Sequence, residues 1–90
     1  MKYIVFWEFE AKDFEKSVQK YANLPEGMEL KSLSENYVVL GETRGFQLLE
    51  TDNPVDIAKL ALYYAPETDF TVQPIIEAKQ VMDTFEQLKT

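Results

Sequence analysis

Histidine and cysteine are both missing from this ninety-residue chain, and arginine occurs once, at Arg44. Without cysteine there is no disulfide, no thiolate nucleophile and no iron–sulfur ligation. Without histidine the commonest general base, metal ligand and haem ligand are gone. Any chemistry must come from carboxylates, tyrosines, amides and the one guanidinium. Glycine is scarce too, and Gly41 and Gly45 have neither the spacing nor the strand-to-helix junction of a phosphate loop. No apolar run of membrane-spanning length and no cleavage-site pattern is found, so neither a span nor a signal peptide is expected, and a cytoplasmic location is the default expectation. Basic charge is short: nine basic residues face sixteen acidic ones, and a net charge of −7 repels phosphate backbones and anionic headgroups. Nucleic acid and membrane surfaces are therefore not expected partners.

Apolar material is plentiful. A hydrophobic fraction of 46%, with six Phe, five Tyr and one Trp, describes one folded domain over residues 1–90. A chain of this length buries only roughly 60 to 65% of the surface its unfolded form exposes, so self-association would add needed stability.

The periodicities alternate as strand, helix, strand, strand, helix, strand, and a last helix follows. Lys2 to Glu10 reads as a strand apolar on both sides, with Tyr3, Val5, Trp7 and Phe9 facing one way and Ile4 and Phe6 the other. Lys12 to Ala22 is an amphipathic helix striped by Phe14, Val18 and Tyr21, and its Lys12, Lys16 and Lys20 form a solvated face. The second strand is placed at 36–42, with 28–33 as a bulged lead-in. Gly41 to Gly45 makes a hairpin connection into a third strand from Phe46. Asn53-Pro54 opens a second helix that runs to about Ala65, with Ile57, Leu60, Ala61 and Tyr64 toward the sheet and Val55, Leu62 and Tyr63 in surplus. Phe70 to Ile76 is an edge strand because Pro74 cannot donate to a ladder. Ala78, Val81, Met82, Phe85 and Leu88 then stripe a third helix that should cover an apolar surface, such as that of helix two.

With right-handed crossovers this order gives an α+β fold: a ferredoxin-like βαββαβ unit, its four-stranded antiparallel sheet ordered 4-1-3-2, both main helices on one face, plus the C-terminal helix. Alternation assigns Phe46 and Leu48, with Tyr3, Val5, Trp7, Phe9, Phe70, Val72, Pro74 and Ile76, to the helix-covered core. Ile4, Phe6, Glu8, Gln47, Leu49, Thr71, Gln73, Ile75 and Glu77 fall on the open face. That face is apolar enough to need cover, which a second copy would supply most simply.

Glu8, Gln47, Gln73 and Glu77 would need partners, water or a ligand when that face is buried, since each desolvated unpaired polar group costs about 1 to 3 kcal/mol. With Tyr63 they are the candidate ligand-binding set, and Tyr3, Tyr37, Tyr63 or Tyr64 could supply a hydroxyl donor. A carboxylate there, Glu8 or Glu77, could act as a base. Arg44 reads as a solvated turn residue, and Glu42, Glu50 and Asp52 lack the oxygen spacing of an ion-binding loop, so no metal and no cofactor are expected. Trp7 and its neighbouring aromatics read as core.

The segments Met1 to Phe9, Gly45 to Pro54, Leu62 to Pro66 and Val72 to Ile76 together resemble a family of short prokaryotic proteins of unknown function. That family resembles in turn the dimeric α+β barrel group, in which two ferredoxin-like protomers pack sheet on sheet. The resemblance implies the fold and the homodimer, and no activity. Haem-handling members of the group resemble one another in a histidine ligand that this chain cannot supply. The expectation is a homodimer through the sheet face that binds a small, largely apolar ligand without catalysis. The alternative is a cofactor-independent, monooxygenase- or isomerase-like enzyme acting on such a molecule.

Overall fold

A computed structural model describes residues 1–28 and 30–89. In chain order the elements are β1 (Lys2–Phe9), a 3-10 turn (Ala11–Asp13), α1 (Phe14–Ala22), β2 (Lys31–Ser32), β3 (Tyr37–Val38), β4 (Arg44–Glu50), α2 (Pro54–Tyr64), β5 (Thr68–Ile75) and α3 (Ala78–Leu88). The fold is α+β, an open antiparallel sheet of five strands with three helices. β1 lies inside the sheet between β4 and β5, and the order runs β2–β4–β1–β5 with β3 also paired to β4. β5 is an edge, which tolerates Pro74.

Strand count and order depart from the four strands expected, and the reason lies at the β4 edge. Instead of one strand over 36–42 there are two short ladders, Lys31–Ser32 against Glu50 and Leu49, and Tyr37–Val38 against Phe46 and Gly45. Between them the Leu48 N–H is taken by the Ser34 hydroxyl at 2.9 Å, while the Leu48 carbonyl accepts from the Leu33 N–H at 2.8 Å. A serine side chain thus stands in for a backbone acceptor, and the chain swings out before it pairs again. The hairpin after β3 closes through the Val39 N–H to the Arg44 carbonyl at 2.9 Å, with Gly41 at φ 79°. Only glycine adopts that backbone region without a steric cost.

A second correction concerns which side of β4 faces in. Directly paired residues share a face, and Tyr3, Val5 and Trp7 sit opposite Leu49, Gln47 and Gly45. Phe46 and Leu48 instead face Phe6 and Ile4 on the open side. Hydrophobicity favoured Phe46 and Leu48 for the core, but the Trp7 indole lies over Gly45, where no side chain can stand. That fit sets the phase of the strand.

Val5 and Leu49, each 3% exposed, form the sheet side of the core, and Ile57 and Tyr64 its α2 side. Asn53 caps α2 by accepting from the Val55 N–H at 3.1 Å, and Pro54 occupies its first turn, as the sequence indicates. α1 behaves differently from its sequence stripe. Phe14, Val18 and Tyr21 stay exposed while Ser17 is buried, sharing a 2.9 Å hydrogen bond with Thr68. Polar fastenings reinforce this docking: Lys20 Nζ donates to Glu67 Oε2 at 2.6 Å and to the Ala65 carbonyl at 3.0 Å, and the Tyr63 hydroxyl donates to the Lys20 carbonyl at 2.7 Å.

The hydrogen bond from Lys20 holds the Glu67 carboxyl below its ordinary value of 4.5. Lys31 does the same for Glu50, and Lys2 for Glu77. A carboxyl lowered in the folded state contributes stability above its unfolded pKa and loses it as pH falls through the folded value. The thermal midpoint is therefore expected to fall between about pH 5 and about pH 3. In Lys20→Met the fall should be shallower; an unchanged slope would show that the Lys20–Glu67 pair contributes nothing.

α3 covers nothing in its own chain. Every described residue of it is exposed, including the apolar stripe, so the expected cover of helix two does not occur. The molecule extends 55 Å along its long axis, and its radius of gyration of 15.7 Å exceeds the about 12 Å of a compact chain this long.

Candidate functional site

Between the sheet and the two packed helices lies a cavity of about 460 Å³. Its floor is the inward face of the sheet: Val5, Trp7 and Phe9 from β1, Gln47 and Leu49 from β4, Thr68 and Phe70 from β5. Ser17 and Tyr21 of α1 and Leu60 and Tyr64 of α2 form the roof. The segment between α1 and β3 closes one side with Leu24, Met28, Leu30 and Asn36. Exposed Tyr21, Ser32 and Val38 mark where the cavity reaches the surface.

Among the described residues, no charged side chain is in this lining. Its polar groups are few and partly engaged: Trp7 Nε1 donates to Asn36 Oδ1 at 2.8 Å, Gln47 Nε2 donates to Ser32 Oγ at 2.8 Å, and Ser17 pairs with Thr68. Among the described residues, the Asn36 amide N–H groups, the Gln47 carbonyl and the Tyr64 hydroxyl make no hydrogen bond of their own. Burial, with smaller contributions from Tyr63 and Tyr21, pushes the Tyr64 hydroxyl up to about 12, so it stays protonated at any physiological pH. The arrangement offers an uncharged molecule a mostly apolar enclosure with two donors and one acceptor. Among the described residues it offers no ionised group to take a proton.

The five residues named from sequence are scattered. Gln47 alone lines the cavity. Tyr63 lies outside it and ties α2 to the end of α1 through the Lys20 and Asn23 carbonyls. Gln73 is exposed on the open face opposite Ile4. Glu77 precedes α3, where Lys2 Nζ reaches its carboxylate at 2.8 Å and the Gln80 side chain accepts from its backbone N–H at 3.1 Å. Glu8 pairs in register with Arg44 and borders a shallow hollow with Gly41, Glu42 and Thr43, where Arg44 Nε donates to Glu42. Within one chain these residues are spread apart, and the cavity lies on the opposite side of the sheet from Glu8 and Gln73.

The sequence does not single out Asn36, Ser17 and Thr68. A usable signal existed for one of them, since a half-buried tryptophan needs an acceptor for its N–H and Asn36 is a polar residue at the start of the expected second strand. Among the described residues no group of three carboxylates could hold a metal ion, and no helix is long and apolar enough to cross a membrane.

Residues 1–89 match the family described as a domain of unknown function, DUF3303. The chain belongs to that family. No curated protein matches it. The DUF3303 match spans every element from β1 to α3, so the cavity walls, the open face and the unpacked helix all fall within it.

Proposed function

We propose that this DUF3303 chain is a non-catalytic binding module for a small, uncharged, largely apolar molecule, held between the sheet and helices α1 and α2. We read the fold as ferredoxin-like with its second strand interrupted at Ser34, and the working form as a homodimer joined through the open sheet face. The observation that carries the binding reading is the lining: about 460 Å³ of space, open at one side, with no charge among its described residues and three unclaimed hydrogen-bonding groups. Ligand sites have this character, mostly apolar with a few placed polar groups, and volumes of roughly 300 to 1,000 Å³. Support for the dimer comes from the open face, where Ile4, Phe6, Phe46 and Leu48 adjoin across two paired strands. The enzyme alternative would need a base, and neither Glu8 nor Glu77 reaches the cavity.

Trp7, the one tryptophan, lines the cavity and reports on it directly. Titration with neutral N-phenylnaphthylamine should quench Trp7 by energy transfer with an affinity near about 1 μM. Its sulfonated analogue, similar in shape but anionic, should bind at least about tenfold more weakly in a site without cations on a molecule of charge −7. Leu60→Phe, which fills the roof, should weaken the neutral probe while raising the thermal midpoint. Equal binding of both probes, or an affinity indifferent to Leu60→Phe, would place the ligand elsewhere and end the proposal.

A further inference from the structure

We infer that α3 is an exchange arm: its apolar stripe docks on the open sheet face of a second copy of this chain, and the second copy's α3 docks on the first. The inference rests on the reading that the chain pairs with itself through that face, and it names the element that covers it. Val81, Met82, Phe85 and Leu88 are 51, 60, 53 and 79% exposed, and they repeat at helical spacing on one side of α3. The helix is a continuous, capped element and no frayed tail. Its start is fixed by the Gln80 cap and by the Lys2–Glu77 ion pair at the end of the sheet.

The receiving surface is contiguous by register. Ile4 lies opposite Leu48, Phe6 opposite Phe46, and Tyr37 opposite Phe46, with ring centroids 6.3 Å apart for Phe6–Phe46 and 5.3 Å for Tyr37–Phe46. α3 continues outward from the last residues of β5, at the sheet end where β1 begins, so its own chain does not bring it back over this aromatic patch. A symmetry-related copy can bring it there, and a two-fold exchange makes the contact twice.

Area and charge both favour a like partner. On the usual scale of apolar burial each of the four stripe residues offers on the order of 100 Å², so two arms with their receiving surfaces bury about 1,600 Å² in total, the size of a standard specific interface. The charges of Lys79 and Lys89 balance those of Asp83 and Glu86 within the arm, and Lys79 pairs with Asp83 and Lys89 with Glu86. On the sheet, Lys31 pairs with Glu50 and Lys2 with Glu77. Glu8 and Asp69 face one another beyond Phe6, so two molecules that each carry −7 meet most readily over the apolar patch, beside which the charges are self-neutralised. A basic partner would be drawn instead to the acidic remainder of the chain.

The absence of cysteine makes the test clean. The full chain carrying Met82→Cys is mixed with a tagged full chain carrying Thr71→Cys, an exposed open-face position opposite Phe6, and treated with a short bis-maleimide. A product joining the tagged and untagged chains is expected. In parallel, the Val81→Glu, Phe85→Glu double variant, altered only on the exposed helix, should keep its helical circular dichroism and lose about a hundredfold or more in dimer association by light scattering. Joining of Met82→Cys chains only to one another, or to a Leu62→Cys variant on the helix layer, would overturn the inference. Thr71→Cys chains joined only to one another, with the double variant still fully dimeric, would leave the dimer standing and remove the arm. A native chain with the 10.5 kDa mass of a monomer at every concentration would overturn both.

Discussion

Replacing Gly45 with alanine is expected to destabilise the fold by about 3 kcal/mol or more, toward the upper end of what overpacking costs. A Cβ at this position would overlap the Tyr37 carbonyl oxygen and the Trp7 indole, coming within 2.8 Å of Trp7 Cε2. Neither neighbour can give way cheaply. The Tyr37 carbonyl belongs to the β3–β4 ladder, and the indole is held on that same edge by the 2.8 Å bond from Nε1 to Asn36 and across its face by stacking on Phe9 at 5.8 Å. Relief would require β3 to lift off, leaving the Trp7 N–H without its acceptor and opening one side of the cavity. A domain of this length has about 5 to 13 kcal/mol in total, so urea unfolding of Gly45→Ala should show a midpoint lowered by a large fraction. Gly41→Ala provides the comparison, because its Cβ would meet nothing within 4 Å and the cost there is confined to a positive φ. If Gly45→Ala proved no worse than Gly41→Ala, the packing of Trp7 over β4 would be wrong.

That packing also explains where the sequence could be read and where it could not. β1, α2, β5 and α3 announce themselves through strong local patterns: double-sided alternation, an Asn-Pro start, an edge proline, a helical stripe. Each lies within one or two residues of its expected bounds. The face assignment of β4 failed because alternation alone cannot choose between two phases when both contain leucine. The deciding fact is a cross-strand one, a glycine opposite a tryptophan, and it is visible only once Trp7 and Gly45 are paired. The split of the second strand is hidden for a related reason, since Ser34 looks like any loop serine until its hydroxyl takes the Leu48 N–H. The inward face of α1 does not follow its apolar stripe because its docking is polar, through Ser17, Lys20 and the carbonyls that Tyr63 reaches. Among the candidate residues only Gln47 belongs to the cavity. Moving β4 by one residue carried Gln47 inward and left Gln73 and Glu8 on the other side of the sheet.

Leu48→Ala and Leu49→Ala decide that phase directly, since the two sites are adjacent, chemically identical and pointed to opposite faces. Leu49, 3% exposed, closes the sheet side of the cavity next to Tyr3 and Val5, and its truncation is expected to destabilise by about 3 kcal/mol. The new void joins space already present, so the surroundings have little means of collapsing into it. Leu48, half-buried on the open face of the isolated chain, should cost about 1 kcal/mol when unfolding is followed at a concentration low enough to keep the chain monomeric. The reverse ranking would restore Phe46 and Leu48 to the core and move Gln47 out of the cavity. Ligand linkage adds a second readout. A molecule that binds only the folded state stabilises it by mass action, and the larger cavity of Leu49→Ala should accept neutral N-phenylnaphthylamine with higher affinity than the native chain. The thermal midpoint of that variant should then recover part of its deficit at saturating probe, while the midpoint of Leu48→Ala rises by no more than that of the native chain. A deficit at Leu49 that the neutral probe leaves untouched would separate the core from the binding site and count against the cavity as the seat of function.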